Sequence, residues 1–437
     1  MPKRLLIVQV AGLGYEFFLR QNGGEMWEGL RFCPAASVLP ALTCPVQASF
    51  RTAAPPAQHG MVFNGVWSRE LRRPMFWEQS SALVAGPRIW DGLREAGRRV
   101  GLLFWQQSLG EDVDVLLSPA PIHKHHGGMI EDVYSRPPGL YGELIRRVGK
   151  AFKLMSYWGP LASAKSSQWI AAATSAVMGM PEVAPDLLLA YLPHPDYALL
   201  RHGPSSRQAA RALAEAMALA SFLRERAGQE GYELLVFGDY AFADVSRPVY
   251  PNRLLRERGL MATRDVRGRL YPDFHTSRAF AVVDHEVAHV YIRDPADVPA
   301  VAEAFRQMEG VDGVLTGEAL AAAGIAHPNS GEVVLVAAEG CWLAYPWWTE
   351  RRERPDYATH VDIHSKPGFD PCELFFGWPP PFAISTDATR VKGSHGRVGK
   401  GREVAWAASF DLGTAPSDLI ALARAVQSAM GNPSPVP

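Results

Sequence analysis

The chain has 437 residues, with 44 Lys+Arg against 45 Asp+Glu, a formal net charge of -1, and 47% hydrophobic against 20% charged positions. These totals describe a soluble globular protein with a large core and exclude a disordered chain, a coiled coil and a collagen-like repeat. At about 150 residues per domain the length suggests two or three units, although α/β enzymes often run longer as one. Near-zero net charge gives no electrostatic reason for a nucleic acid polymer or an anionic membrane to be the partner, so any charge-driven binding is local.

The first apolar run, Leu5 to Leu13, is too short to span a bilayer and leads into Tyr15-Glu16 without a small-residue cleavage site. No later stretch reaches about 18 apolar residues, and the expectation is a cytoplasmic protein. Cys33, Cys44, Cys341 and Cys372 are dispersed with no Cys-x-x-Cys pair, so reduced, mostly buried thiols are expected rather than a disulfide scaffold or a zinc knuckle.

In chain order, residues 4 to 13 (Arg-Leu-Leu-Ile-Val-Gln-Val-Ala-Gly-Leu) read as a strand buried on both faces, the centre of a largely parallel sheet. Strands follow at Val100 to Trp105 and Leu187 to Leu192, then a helix over Ser206 to Gln229, rich in Ala, Leu, Arg and Glu, then a strand over Glu233 to Phe237. The alternation predicts an α/β fold with a doubly wound, mostly parallel central sheet. From about 280 the pattern tightens: strand His289 to Arg293, helix Val298 to Met308 after Asp294-Pro295, strand Gly313 to Leu315, a short helix, and strand Val333 to Ala338. Residues 280–345 are accordingly taken as a small inserted α/β subdomain in a core formed by 1–279 and 346–430, and 431–437 as a disordered tail.

In open α/β sheets ligands sit beyond the carboxyl ends of the strands. The polar residues at those exits are Gln9 to Gly12, then His194 and Asp196, then Asp239-Tyr240, and two acids with a histidine are ingredients of a divalent metal site. Thr43, in Ala41-Leu42-Thr43-Cys44-Pro45, precedes a short helix. There it either faces the anion-binding end of that helix or merely caps it.

The segment Pro40-Ala41-Leu42-Thr43-Cys44-Pro45-Val46-Gln47, followed by Pro56-Ala57-Gln58-His59-Gly60-Met61-Val62-Phe63-Asn64-Gly65, resembles the nucleophile loop of the alkaline phosphatase superfamily, type I phosphodiesterase / nucleotide pyrophosphatase branch. Three further blocks are similar to that branch in family order: Tyr191-Leu192-Pro193-His194-Pro195-Asp196 with Gly203-Pro204, Val236-Phe237-Gly238-Asp239-Tyr240, and His364 to Gly377. The resemblance implies an alkaline-phosphatase-like fold with Thr43 as nucleophile and metal ligand. Asp196, Asp239 and His364 would be metal ligands, His194 and His395 auxiliary ones, and Gln47 and Asn64 substrate-binding groups. The cofactor it implies is one or two divalent ions, zinc first and manganese or magnesium as alternatives. The partner is a small phosphorylated substrate, and the oligomeric state is not specified.

The chain departs from the family pattern at four places. Ala11 stands for the aspartate after the first strand, with Gln9 as a weak substitute. Leu200 and Tyr240 each stand for a histidine, and Val46 for the phosphate-binding asparagine, with Gln47 beside it. The function implied is a metal-dependent phosphodiesterase or nucleotide pyrophosphatase-like hydrolase acting through a phosphothreonine. The alternative is a non-catalytic relative that binds a phosphorylated ligand or a partner protein. Other clusters read as structural: His285 and His289 straddle a predicted strand start, His123, His125 and His126 lie in a loop where neighbours need not converge, and Trp342, Tyr345, Trp347 and Trp348 suit a core. His395, flanked by glycines in Gly-Ser-His-Gly, allows close approach of a ligand.

Overall fold

Every residue of the Leu5–Val10 strand is buried, and the strand hydrogen-bonds in parallel to Leu187–Leu192 on one side and Glu233–Gly238 on the other. A strand covered on both faces has no solvent side to fill with polar residues, which is why it reads as an apolar run broken only at Gln9. This computed structural model describes residues 2–126, 128–381 and 383–431, and its central sheet has eight strands. From edge to edge these are Val133–Arg136, Val115–Pro119, Val100–Leu103, Leu187–Leu192, Leu5–Val10, Glu233–Gly238, Val404–Ala408 and Cys33–Ala35. The five from Val115–Pro119 to Glu233–Gly238 run parallel, and the outer pairings are antiparallel, so the sheet is mixed. The antiparallel margins, short and partly polar, are the strands that apolar patterning does not reveal.

Parallel register decides where the functional residues emerge. Val10 pairs with both Leu192 and Gly238, so the chain leaves three neighbouring strands at the same level. Ala11-Gly12, His194 to Asp196 and Asp239-Tyr240 therefore come out side by side, at the carboxyl edge where α/β folds bind ligands. The long helix Arg207–Gln229 starts at Ser206, whose hydroxyl accepts the Ala209 N–H at 3.1 Å, and its alanines let it pack closely on the helix Lys165–Met178 and the sheet.

The helix Thr43–Thr52 is buried along its whole length. Phe50 stacks on Phe237 of the sheet with ring centroids 4.5 Å apart, and the fully buried Arg51 is matched by the carbonyls of Gln106 and Gln107 and the carboxylate of Glu111. A desolvated guanidinium persists only with such complete pairing.

A second, four-stranded antiparallel sheet holds Ala279–Asp284, Val287–Ile292, Val333–Ala337 and Val311–Leu315 in that spatial order. The helices Val298–Arg306 and Glu318–Ala322 lie between its later strands in sequence. The Ala279–Asp284 strand was not anticipated. It turns into its neighbour through His285-Glu286, with His285 at φ +59°, a left-handed conformation uncommon for a residue with a side chain.

Cys44, Cys341 and Cys372 are buried and Cys33 half-buried, all as free thiols. No helix among the described residues is long and apolar enough to cross a membrane. Of the expected disordered tail, residues 432–437 lie outside the described residues.

His59 couples this fold to pH. Its Nδ1 accepts the Met61 N–H at 3.2 Å, so Nε2 carries the proton and meets the Ser49 hydroxyl at 2.8 Å. Burial, with Arg51 nearby, pushes its pKa down from 6.5 to about 3. The folded chain thus refuses a proton that the unfolded chain accepts below about 6.5, so stability falls as pH drops from there. Urea unfolding between pH 6 and 4 should lose stability with a slope that His59→Gln reduces by about 1.4 kcal/mol per pH unit.

Candidate active site

Thr43 is the first residue of its helix, preceded by extended Leu42 (φ -130°, ψ 155°), whose side chain makes no cap hydrogen bond. The cap position belongs to Leu42, so the Thr43 hydroxyl is free of the capping role. Oγ1 lies 3.4 Å from the Tyr240 hydroxyl, which itself donates to Asp196 Oδ1 at 2.9 Å. Tyr191, near the end of the adjacent strand, places a second buried phenol at this edge of the sheet. Burial raises both phenols well above their usual 10, so each stays a neutral O–H donor.

The exposed N–H groups at a helix start need acceptors. Asn64 supplies one, its Oδ1 accepting the Cys44 N–H at 2.9 Å. The Asn64 backbone N–H and side-chain amide then donate to the two oxygens of Asp284 at 2.8 and 3.2 Å, and His285 Nδ1 lies 2.7 Å from Asp284 Oδ1. Asn64 is thus a strut between the Thr43–Thr52 helix and the second sheet, with both ends of its amide engaged.

Asp239 is fully buried and accepts from Gln9 Nε2 at 2.9 Å, Gly12 N–H at 2.9 Å and Tyr240 N–H at 3.0 Å. Gly12 has φ +69°, and a Cβ there would sit 2.6 Å from Leu199, so the close approach of this backbone to Asp239 requires glycine. Burial raises the Asp239 carboxyl to about 8 and that of Asp196 to about 7, since neither has a Lys or Arg against it among the described residues.

His395 closes the group. Its Nδ1 meets the Ala41 carbonyl at 2.7 Å and so carries the proton, leaving Nε2 without a hydrogen-bond partner 3.9 Å from Asp196 Oδ1. Its ring lies flat on Tyr240 with centroids 3.5 Å apart and an interplanar angle of 2°. His285 sits 3.9 Å away on His395 and stacks in turn on Phe369 at 3.8 Å, making a column of four rings. Burial holds both imidazoles neutral, His285 at about 3 and His395 well below the usual 6.5. Backbone bonds fasten this end of the chain: Ala41 N–H to Gly396 O and Glu286 N–H to His395 O, each 2.9 Å.

Thr43, Asp196, Asp239 and His395 are thus brought together, Asn64 joins them through the Cys44 N–H, and His364, His194 and Gln47 make other contacts. His364 is exposed, with Nδ1 3.1 Å from the Phe76 carbonyl and its ring 6.4 Å from that of His123. A histidine placed by motif alone cannot be told from another one thirty positions on; the glycine-flanked His395 is the one delivered to Asp196. His194 shares a strand exit with Asp196, yet its Nε2 turns to Glu215 on the long helix at 3.1 Å. Gln47 accepts the Gln106 N–H at 2.7 Å, and its own amide nitrogen is buried without a partner. His289 lies in the second sheet between Val62 O and Gly331 N–H. The sequence sets Asp284 and His285 among the polar clusters able to refill the site, with a structural role favoured, and gives no sign of the buried phenol of Tyr191. The left-handed turn at His285 leaves no trace in composition, and Tyr191 reads as one more residue of an apolar strand.

Among the described residues no group of three or more His, Cys, Asp or Glu side chains is placed to hold a metal ion. The side chains show why. Ala11 and Leu200 are fully buried and offer no donor, Asp239 already accepts three N–H groups, and His194 turns its Nε2 to Glu215. A zinc ion takes about four N, O or S donors, and this set does not fit one.

Because the Asn64 side chain serves two partners, Asn64→Ala should cost about 1–3 kcal/mol by urea unfolding, leaving the Cys44 N–H without its acceptor and Asp284 with one donor fewer. Asn64→Asp, which keeps the acceptor for Cys44 but sets a second carboxyl against Asp284, should be at least as damaging.

The sequence profile of the type I phosphodiesterase / nucleotide pyrophosphatase family matches residues 25–370. No curated protein sequence matches the chain. Among solved structures the fold is similar to phosphonoacetate hydrolase from Sinorhizobium meliloti in complex with phosphonoacetate, with TM-score 0.64, 18% identity, and coverage of 98% of this chain and 96% of that one. It is also similar to murine ectonucleotide pyrophosphatase / phosphodiesterase 5, with TM-score 0.57, 14% identity, and coverage of 93% and 87%. The murine protein is known as well as an inactive threonine-to-alanine variant in complex with AMP. Shared architecture at such low identity establishes the fold, and the match over most of the chain establishes the lineage: the chain belongs to the type I phosphodiesterase / nucleotide pyrophosphatase family, whose members are phosphoric ester hydrolases.

Proposed function

We propose that the chain hydrolyses a small phosphorylated substrate, as a phosphodiesterase or nucleotide pyrophosphatase does, with Thr43 as the nucleophile. The observation that carries this reading is the Thr43 hydroxyl itself, held at a helix start without capping it and joined through Tyr240 to a buried carboxyl group. The murine relative's inactive threonine variant in complex with AMP supports the same residue type in the same role.

The hydrogen-bond order sets the direction of the proton. Tyr240 donates to Asp196, which leaves its oxygen free to accept from Thr43. As the Thr43 Oγ1–P bond forms and the bond from phosphorus to the leaving oxygen breaks, the threonine proton passes to Tyr240 and the phenol proton to Asp196. Water then attacks the phosphothreonine, the Oγ1–P bond breaks, the relay runs backwards to restore Thr43, and the proton that water sheds neutralises the departed leaving oxygen. Relatives in this family are typically dependent on divalent metals. No step is routed through an ion here, because the donor set described above does not fit one.

A second reading has its own observation. A phenyl ring packed flat on His395, with two strand exits carrying Ala11 and Leu200, suits a relative that binds a phosphorylated ligand or a partner protein without turnover. Bis(p-nitrophenyl) phosphate, p-nitrophenyl phosphate and a nucleotide panel, each with EDTA, Zn²⁺, Mn²⁺ or Mg²⁺, separate the two. Turnover should appear in at least one arm and fall about 100-fold or more in Thr43→Ala, with partial recovery in Thr43→Ser. Activity unchanged in Thr43→Ala sinks the nucleophile assignment, and silence in every arm favours the second reading.

A further inference from the structure

We propose that two buried phenols, Tyr191 and Tyr240, stand where a divalent cation would otherwise serve Thr43, so that this site holds no resident ion. The catalytic half of this inference rests on the Thr43 reading above, and the ion-binding half rests on the side chains alone.

A tetrahedral site needs about four donors, and an oxygen-seeking ion about six, all with lone pairs converging on one point. Near Thr43 the inventory falls short. Both oxygens of Asp239 are engaged, Oδ2 by Gln9 Nε2 and Oδ1 by the N–H groups of Gly12 and Tyr240. Oδ1 of Asp196 takes the Tyr240 O–H. The nitrogen lone pairs of His395 Nε2 and His194 Nδ1 are left without partners, yet among the described residues no three His, Cys, Asp or Glu side chains are placed to hold one ion. His194, which shares the Asp196 exit, is drawn off to Glu215.

The same atoms take over part of what an ion supplies. A cation at a phosphoryl-transfer site places positive charge beside the nucleophile and the non-bridging oxygens. Tyr240 gives its one proton to Asp196 and turns its oxygen to Thr43, so it takes over the activation of the hydroxyl that an ion would otherwise supply, held there by the ring stack on His395. The O–H of Tyr191, at the end of the neighbouring strand, is the dipole left to offer a weaker version of the positive charge.

The test uses the full chain purified without chelator. Elemental analysis should find no stoichiometric zinc, manganese or iron. Calorimetric titration with ZnCl₂, MnCl₂ or MgCl₂ should show no saturable site in the micromolar range. The variant A11D/L200H/Y240H, checked by circular dichroism, should gain one for zinc. Stoichiometric metal in the unaltered chain, or a saturable site there, overturns the proposal whether or not the triple variant folds. For the catalytic half, Tyr240→Phe keeps the ring stack and removes the O–H. Its kcat on bis(p-nitrophenyl) phosphate should fall about 100-fold with little change in KM or melting temperature, and EDTA should not inhibit the unaltered enzyme. Full activity in Tyr240→Phe, or activity abolished by EDTA and restored by zinc, overturns it. Thr43→Ala with undiminished activity would instead defeat the nucleophile reading and leave the calorimetric result standing.

Discussion

Two carboxyl groups, Asp196 and Asp239, are buried beside one another with no cationic side chain against them among the described residues, and the site is arranged around that constraint. Each must be neutralised by a proton or surrounded by donors, because an unpaired charge in a desolvated place is expensive. Asp239 draws its donors from the exit of the first strand and from its own chain. Gln9, the one polar side chain in an otherwise apolar strand, is there for this purpose. Asp196 draws its donor from Tyr240, and in doing so fixes the phenol beside Thr43. The acids that the motifs mark out as ligands are thus held by hydrogen bonds in a continuous network.

The network is stiff because it is closed by backbone as well as side chains. The loop before Thr43 is bonded to Gly396 and His395, and His395 is bonded to the Glu286 turn. Glu286 is itself paired with Arg402 at 3.0 Å. The left-handed backbone at His285 is sustained by this turn and by the strands that enter and leave it, a case of local strain over-determined by its surroundings. The result is a column of rings from Tyr240 to Phe369 standing beside the nucleophile helix.

Fold and chemistry have moved independently in this chain. The parallel register that brings three strand exits to one level is intact, and so is the helix that presents Thr43. Two of those exits carry Ala11 and Tyr240, and the helix Asp196–His202 that follows the third carries Leu200. Architecture constrains where a site lies, and the side chains placed there decide what it does.

Much of this was legible in the sequence. The buried strands at Leu5, Leu187 and Glu233, the long helix after Ser206 and the nucleophile loop are local patterns, written in periodicity, capping and spacing. They are enough to place Thr43, Asp196 and Asp239 at one edge of a sheet. The partner of each polar atom was not legible, because hydrogen bonds such as Gln9 to Asp239 or Asn64 to Asp284 join residues some 220 to 230 positions apart. Nor could the sequence choose between His364 and His395, since that choice depends on how the last third of the chain threads back over Ala41. Tyr240 shows the division most plainly. The sequence marks it as a missing histidine, and only tertiary packing, which lays its ring on His395 and aims its hydroxyl between Thr43 and Asp196, makes it a working part of the site.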